Sequence, residues 1–222
     1  MTLRAVIFDF GGVFTTSPVS HFATYERENG LPQRFMSEVI RSNLNDGAFA
    51  RFERAELTLD EFDAAFAAET RAAGHEVGGR TLVSLLKLDF RPDMIAALKA
   101  IKAGGLATGC ITNNMPGGGA KEWVRDPEGR KTAAEVMATF DHVIESAKAG
   151  VRKPEPRIYE MMCEALSVAP EDCCFVDDLG VNLKPAKAMG MAVVKVPFDD
   201  YGQAIDELQA LTGLALRDGT KG

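Results

Sequence analysis

The feature that most constrains the fold is a short apolar segment that ends in an acid. Residues Ala5–Phe8 are four consecutive apolar residues, which is typical of a strand buried on both faces. Asp9 follows directly, and Gly11 and Gly12 come one residue later. Open α/β sheets bind ligands at the carboxyl ends of their strands, so the sequence predicts Asp9 at such an edge. The plainer alternative is that Asp9 caps a turn and the glycines supply its backbone freedom.

The same apolar pattern recurs in the second half of the chain, where predicted strands alternate with predicted helices. This alternation indicates an α/β fold with a doubly wound, mostly parallel sheet. The predicted strands are 5–8, 106–111, 141–145, 173–176 and 192–196, and the predicted helices between and after them are 92–102, 131–138, 156–166, one ending at 189, and 201–211.

Residues 21–88 show helical periodicity and no convincing strand. The predicted helices are 21–28, 32–44 and one from Thr58 to residue 73, with 82–88 as a short helix or extended piece. Glu61, three residues after Thr58, completes the pattern of a capping box. We therefore predict a core domain of residues 1–14 and 91–222, with residues 15–90 as a helical cap inserted after the first strand.

Composition and charge exclude several classes of protein. The 222 residues carry a net charge of −7, which argues against a nucleic-acid partner. The four cysteines form no CxxC pair, so we expect buried, reduced thiols and no disulfide or zinc site. Three consecutive glycines at 117–119 lack the order of a P-loop. No apolar run reaches the ~20 residues of a membrane span, and no signal peptide is evident, so we expect a cytoplasmic monomer or homodimer.

Polar residues follow several of the predicted strands and should meet at one edge of the sheet, because right-handed crossovers align the strands in parallel. Carboxylates gathered from distant parts of a chain repel one another and need a cation. Oxygen ligands without His or Cys favour a hard ion, most simply Mg²⁺, which commonly bridges to phosphate. An aspartate can also attack a phosphoryl group. The residues expected at this edge are Asp9, Thr112, Asn113, Asp177 and Asp178, with Lys153 in the loop after the third strand.

Four of these segments, in this order, resemble the motifs of the haloacid-dehalogenase-like (HAD) superfamily. Within this superfamily, residues 1–5, 153–159 and 175–191 are most similar in sequence to the N-terminal phosphatase domain of soluble epoxide hydrolase, and similar domains precede some acyl-CoA dehydrogenases. The segments are Phe8-Asp9-Phe10-Gly11-Gly12-Val13, Ile111-Thr112-Asn113, Lys153-Pro154-Glu155-Pro156, and Val176-Asp177-Asp178 with Asn182.

The resemblance implies a Rossmann-like core and a role for each motif residue in Mg²⁺-dependent hydrolysis of a small phosphorylated substrate. Asp9 would be the nucleophile and a metal ligand, and Gly11 would offer its carbonyl to Mg²⁺. Asp178 would bind the metal directly, and Asp177 through water. The phosphoryl group would be held by Thr112, Asn113 and Lys153, and the cap would exclude water and select the substrate.

One position departs from the family pattern. HAD phosphatases usually carry an aspartate as general acid two residues after the nucleophile, where this chain has Gly11. General acid catalysis contributes ~10²–10⁴-fold, so three functions stay open. They are a phosphatase of a metabolite or lipid phosphate, a haloacid dehalogenase, and a weakly catalytic domain that binds a phosphorylated ligand or a protein partner.

Three further polar residues have only local signals. Asn182 is expected to orient the acidic loop. His142 lies in an apolar segment and is expected to pack in the core. His21, shortly after the first motif, is a candidate pocket residue without a motif behind it.

Overall fold

The computed structural model describes residues 3–16, 19–86, 89–115 and 127–217; the three-glycine loop at 117–119 lies outside these ranges. Five parallel strands form one sheet in the order β3-β2-β1-β4-β5, with β1 at its centre. The strands are β1 Ala5–Phe8, β2 Ala107–Thr112, β3 His142–Glu145, β4 Cys173–Asp177 and β5 Ala192–Lys195.

The sheet is covered by helices on both faces, which confirms the predicted doubly wound α/β fold. Val6 and Phe8 of the central strand belong to one apolar cluster, and Ala5 and Ile7 belong to another on the opposite face. Alternate residues of a strand point to opposite faces, so an uninterrupted apolar strand requires two covering layers.

Eleven α-helices are described. In the insert they are α1 Val19–Glu28, α2 Phe35–Ser42, α3 Ala48–Glu53, α4 Leu59–Ala72 and α5 Gly79–Ser84. In the rest of the chain they are α6 Pro92–Ala103, α7 Pro127–Thr139, α8 Ser146–Ala149, α9 Pro156–Leu166, α10 Gly180–Ala188 and α11 Gly202–Thr212. Within the described ranges, none has the length and apolar character needed to cross a membrane.

The five helices α1–α5, here called the helical insert, have an apolar cluster of their own. The rings of Phe52 and Phe62 stack at its centre with centroids 4.3 Å apart. Thr58 and Glu61 form the predicted capping box at the start of α4. Outside the insert, Met115 also joins this cluster. The insert therefore packs against the segment that follows β2.

Three details differ from the sequence predictions. The short helices α3 and α8 were not predicted, and the piece expected at 82–88 is a helix over Gly79–Ser84. His142 is exposed, so its prediction as a core residue is wrong. It begins β3, an edge strand of the sheet, where side chains have fewer neighbours. All four cysteines are free and buried, as predicted.

Candidate active site

The site is built around Asp9, the residue that ends the central strand. Its main-chain N–H continues the sheet by donating to the carbonyl of Val176 at 2.8 Å. The N–H of Phe10 turns back and donates to Asp9 Oδ1 at 2.6 Å. These two bonds fix the carboxylate at the carboxyl end of β1 and leave it almost wholly buried.

Asp177 and Asp178 approach Asp9 from the neighbouring strand. In the parallel register of β1 and β4, Phe8 lies opposite Val176, so Asp9 and Asp177 follow at the same level. One carboxylate oxygen from each of the three aspartates lies within 4.8 Å of the others. The predicted convergence of three acids therefore exists in the fold.

Lys153 is the buried cation that joins two of these acids. Its Nζ lies 2.8 Å from Asp9 Oδ1 and 2.9 Å from Asp177 Oδ2, and only 1% of its side chain is exposed. The amide of Asn113 holds the Lys153 main chain by accepting from its N–H at 2.9 Å and donating to its carbonyl at 3.0 Å. The Asn113 side chain thus positions the lysine.

Asp177 has the most complete set of hydrogen bonds in the cluster. The Asn182 Nδ2 group donates to both of its oxygens, at 3.1 and 3.0 Å, and the N–H of Leu179 donates to Oδ1 at 2.8 Å. Tyr159 in turn donates to the Asn182 carbonyl at 2.8 Å. Asn182 therefore orients the acidic loop, as expected from the sequence.

The electrostatics of the cluster are dominated by burial. Desolvation raises the pKa of the Asp9 carboxyl well above its usual range, and Asp177 and Asp178 raise it further, against the opposing effect of Lys153. Burial alone would lower the pKa of the Lys153 ammonium, but the carboxylates of Asp177 and Asp9 outweigh it and raise that pKa. The lysine is therefore held charged between the two acids.

The two glycines after Asp9 meet very different surroundings. Gly12 has φ of 74°, and a Cβ on it would lie 2.2 Å from Asp178 Oδ2. Only glycine combines this left-handed backbone with the close approach of a carboxylate. Around Gly11, no atom of the described residues other than Gly11 and its two chain neighbours lies within 4 Å of where a Cβ would be. The fold thus requires glycine at position 12 and has room for a side chain at position 11.

Arg91 is a residue of the site that the sequence did not reveal. Its buried guanidinium donates from Nη1 to the carbonyl of Gly12 at 2.6 Å, and its main-chain N–H donates to Phe14 at 2.8 Å. Burial lowers its pKa, and the negative charge of Asp178 opposes that shift. In sequence Arg91 reads only as the residue before the Pro92 helix start, so no local signal marks its contact with Gly12.

The other predicted residues lie at the edge with different exposure. Thr112 ends β2 beside the central strand and is almost wholly buried. The His21 side chain contacts Asp89, with Nε2 3.4 Å from Asp89 Oδ2. There, Thr15 and Phe90 form an antiparallel bridge between the two segments that join the insert to the sheet. His21 therefore belongs to this junction.

The donor set fits a hard divalent cation. Asp9, Asp177 and Asp178 offer carboxylate oxygens, and their cluster contains neither His nor Cys. A cation there would also oppose the effects that raise the Asp9 pKa.

Fold and site together define a class of protein with a doubly wound α/β sheet and an acidic centre at the carboxyl edge of that sheet. A family model described as haloacid dehalogenase-like hydrolase matches residues 3–190. The chain belongs to this family, which confirms the resemblance found in its motifs.

Several relatives extend over nearly the whole chain. Bifunctional epoxide hydrolase 2 of Sus scrofa is 30% identical over 97% of this chain and 40% of its own length. Acyl-CoA dehydrogenase family member 10 of Mus musculus is 34% identical over 97% of this chain and 20% of its own length. The chain thus spans less than half of either relative.

Two relatives of similar length carry different activities in their names. Phosphatase MT3486 of Mycobacterium tuberculosis is 29% identical over 93% of this chain and 92% of its own length. (S)-2-haloacid dehalogenase 1 of Pseudomonas sp. is 28% identical over 87% of this chain and 84% of its own length. These relatives therefore show that the chain belongs to a hydrolase family, and they do not distinguish a phosphatase from a dehalogenase.

Among solved structures, the fold is similar to that of a HAD family enzyme from Bacteroides thetaiotaomicron in complex with magnesium and inorganic phosphate. The TM-score is 0.55 at 17% identity, and the match covers 87% of this chain and 93% of the other. At this identity the likeness concerns the fold.

Proposed function

We propose that this protein is a Mg²⁺-dependent phosphatase that hydrolyses a phosphate monoester of a small metabolite or lipid through an aspartyl-phosphate on Asp9. The observation that carries the proposal is the contact of Asp9 with Lys153 inside a three-carboxylate cluster. A nucleophilic aspartate that acts alone needs no other acids beside it. A site that binds a cation together with a phosphoryl group needs further carboxylates to hold the cation.

The metal would be held by the carboxylates of Asp9 and Asp178 and the main-chain carbonyl of Gly11, with Asp177 acting through water. When bound, the ion neutralises negative charge on the phosphoryl oxygens. The hydrogen bonds from Asn182, Leu179 and Lys153 already hold the Asp177 carboxylate in place, so it does not depend on the ion for its orientation. Gly12 allows the Asp178 carboxylate to lie close against the main chain after Asp9.

The remaining groups would bind and orient the phosphoryl group. Lys153 brings a fixed positive charge beside the attacking oxygen of Asp9. Thr112 would donate its hydroxyl, and Asn113 would donate its main-chain N–H, because its side-chain amide is engaged with Lys153.

The chemistry proceeds in two displacements. An Asp9 oxygen forms a bond to phosphorus while the ester P–O bond breaks and the leaving alkoxide takes a proton. Water then attacks the phosphorus of the aspartyl-phosphate, which releases inorganic phosphate and restores the Asp9 carboxylate. Residues 15–90, which include the helical insert, would act as the cap that excludes bulk water during both steps.

The glycine at position 11 leaves the leaving group without the usual acid. The proton must then come from the substrate, from the cap or from water, so esters of acidic alcohols should react faster than alkyl phosphates. This position also motivates the second candidate, a weakly catalytic domain that binds a phosphorylated ligand or a protein partner. Binding of a phosphate analogue without turnover on any phosphate ester would favour that candidate.

The dehalogenase relative supplies a third candidate, which the paired acids disfavour. Dehalogenation by an aspartate needs no metal, so this reaction does not require the carboxylates of Asp177 and Asp178 as metal ligands. Release of halide from 2-haloacids in the absence of Mg²⁺ would establish this activity.

Hydrolysis of p-nitrophenyl phosphate by the wild-type chain tests the proposal directly. We expect turnover with Mg²⁺, loss of turnover with a chelator, and a loss of about 10⁴-fold or more for Asp9→Asn, since the nucleophile is removed. Equal rates under the three conditions would refute the phosphatase. A melting curve of Asp9→Asn serves as the folding control.

A further inference from the structure

A buried ion pair joins the helical insert to the loop that carries Lys153. Arg152 Nε and Nη2 lie 2.8 and 2.6 Å from Glu53 Oε2, across 99 positions of sequence. The two side chains are 6% and 7% exposed. Glu53 ends helix α3, and Arg152 directly precedes Lys153. Two buried cations thus lie next to each other in sequence and contact acids of different elements.

Hydrogen bonds extend this junction on both sides. Arg152 Nη1 also donates to the carbonyl of Leu44 at 2.9 Å, so it holds the segment before α3 as well. The Ser146 hydroxyl, just after β3, donates to the Glu53 carbonyl at 2.7 Å. The N–H of Asn114 donates to that hydroxyl at 3.0 Å. The end of α3 is therefore tied to the segments that follow β2 and β3.

Lys153 is held from the side of the sheet. Asn113 binds both main-chain groups of Lys153, and Asp9 and Asp177 hold its ammonium. A shift of the Arg152 main chain acts on Lys153 through the one peptide bond that joins them, and the hydrogen bonds of Lys153 oppose that shift. The insert and the acidic cluster are thus linked through two adjacent residues.

We propose that the Glu53–Arg152 pair is a positioning device that sets the helical insert in register with Lys153 and so places the insert over the acidic cluster. The inference rests on the proposed phosphatase function for its catalytic consequence. Glu53 and Arg152 are positioning residues, since they bind each other and the segments around α3 and act on the acidic cluster through Lys153.

Stability alone does not account for this pair. Burial raises the pKa of the Glu53 carboxyl even though Arg152 opposes the shift, so the ionised pair gains little from its environment. Buried ion pairs can often be replaced by apolar side chains of similar size without loss of stability. What apolar side chains cannot reproduce is the fixed, directional geometry of a guanidinium with a carboxylate and a carbonyl.

The test replaces the pair by apolar side chains in the full-length protein. The variant is Glu53→Met/Arg152→Met, and the matched control is Arg71→Met/Glu76→Met, which removes an exposed ion pair confined to the insert. Three quantities are measured for each variant and the wild type. They are the melting temperature, the amide hydrogen exchange of residues 44–54 and 146–155, and the kcat for p-nitrophenyl phosphate with Mg²⁺.

We expect the buried double variant to melt within a few degrees of the wild type. Its amides at 44–54 and 146–155 should exchange faster, and kcat should fall about 10-fold, because small misplacements of catalytic groups are costly. The control should leave all three quantities unchanged. Unchanged exchange and kcat in the buried double variant would overturn the inference, and so would a lower kcat with unchanged exchange at 146–155.

Two outcomes separate this inference from the proposed function. If the wild type hydrolyses no phosphate ester, the proposed function fails, and the exchange measurement alone decides whether the pair links insert and loop. If the double variant does not fold, Glu53→Gln keeps the shape and a carbonyl acceptor while removing the charge. Faster exchange at 146–155 in that variant would support the linkage, and wild-type exchange there would refute it.

Discussion

The two ends of the five-stranded sheet carry acids in opposite electrostatic situations. At the carboxyl end, Asp9 is buried beside Asp177 and Asp178, and burial raises its pKa. Because this pKa is raised, Asp9 contributes stability at pH values below 3.8, the ordinary pKa of its carboxyl. That contribution is lost as the pH rises through the pKa of Asp9 in the folded protein. Ionisation of the Asp9 carboxyl therefore opposes folding.

At the amino end of the same strands, Asp141 is exposed and its carboxylate accepts three hydrogen bonds. Its carboxylate accepts from Lys102 Nζ at 2.8 Å and from the N–H and hydroxyl of Thr108 at 2.8 and 3.0 Å. Bonding to Lys102 lowers the Asp141 pKa, although burial opposes the shift. The comparison indicates that one end of the sheet stabilises the fold and the other is organised for chemistry at a cost in stability.

The largest effect that we predict for this comparison of the two ends comes from removing a cation at the carboxyl end. In Lys153→Met, Asp9 and Asp177 lose their shared ammonium, and we expect kcat for p-nitrophenyl phosphate to fall about 10³-fold. Arg152→Met, one residue away, removes a cation that contacts Glu53, and we expect a loss of about 10-fold.

Lys102→Met is the matched control at the amino end, and it should keep wild-type kcat. Equal losses for Lys153→Met and Arg152→Met would show that the two adjacent cations act as one unit. A comparable loss for Lys102→Met would remove the functional distinction between the two ends of the sheet.

A smaller effect compares the two glycines after Asp9. Gly12→Ala places a Cβ 2.2 Å from Asp178 Oδ2 at φ of 74°, so we expect a loss of about 2 kcal/mol in the free energy of unfolding. If Mg²⁺ binds as proposed, displacement of Asp178 should also reduce the increase in the free energy of unfolding that we expect Mg²⁺ to produce. Gly11→Ala meets no atom within 4 Å and should change stability by less than about 1 kcal/mol.

Urea denaturation with and without Mg²⁺ measures both glycine effects. If Gly12→Ala responds to Mg²⁺ like the wild type, Asp178 is not a ligand of the ion. If Gly11→Ala is as damaging as Gly12→Ala, the space around position 11 is smaller than the structure indicates.

Much of the carboxyl end was predictable from sequence because its residues are local to strand ends. Asp9 and Asp177 directly follow or end apolar runs, and parallel strands must bring such residues to one edge. The four motifs then placed Lys153 and Thr112 beside them. The predicted convergence of the three acids needed no tertiary information beyond this rule, whereas the order of the strands in the sheet was not predicted.

The contacts that the sequence did not reveal join residues far apart in the chain. Glu53 and Arg152 are 99 positions apart, and Arg91 reaches Gly12 across 79. In the local sequence, Glu53, Arg91 and Arg152 look like ordinary charged residues of a helix end or a loop. The error for His142 has the same origin, since an apolar neighbourhood in sequence does not tell that β3 is an edge strand. The predicted division into a core and a cap of residues 15–90 stays a prediction.

The smallest predicted effect lies at the amino end of the sheet. Asp141→Asn loses the charged bond to Lys102, and we expect the free energy of unfolding to fall by about 1 kcal/mol at neutral pH, with unchanged kcat. Because the Asp141 pKa is lowered in the folded protein, its contribution is present above 3.8 and is lost as pH falls through the folded-state value. Urea denaturation at neutral and acid pH should therefore show the wild type and Asp141→Asn converging in acid. A constant difference across this range would mean that Asp141 acts through its shape, and the electrostatic contrast with Asp9 would fail.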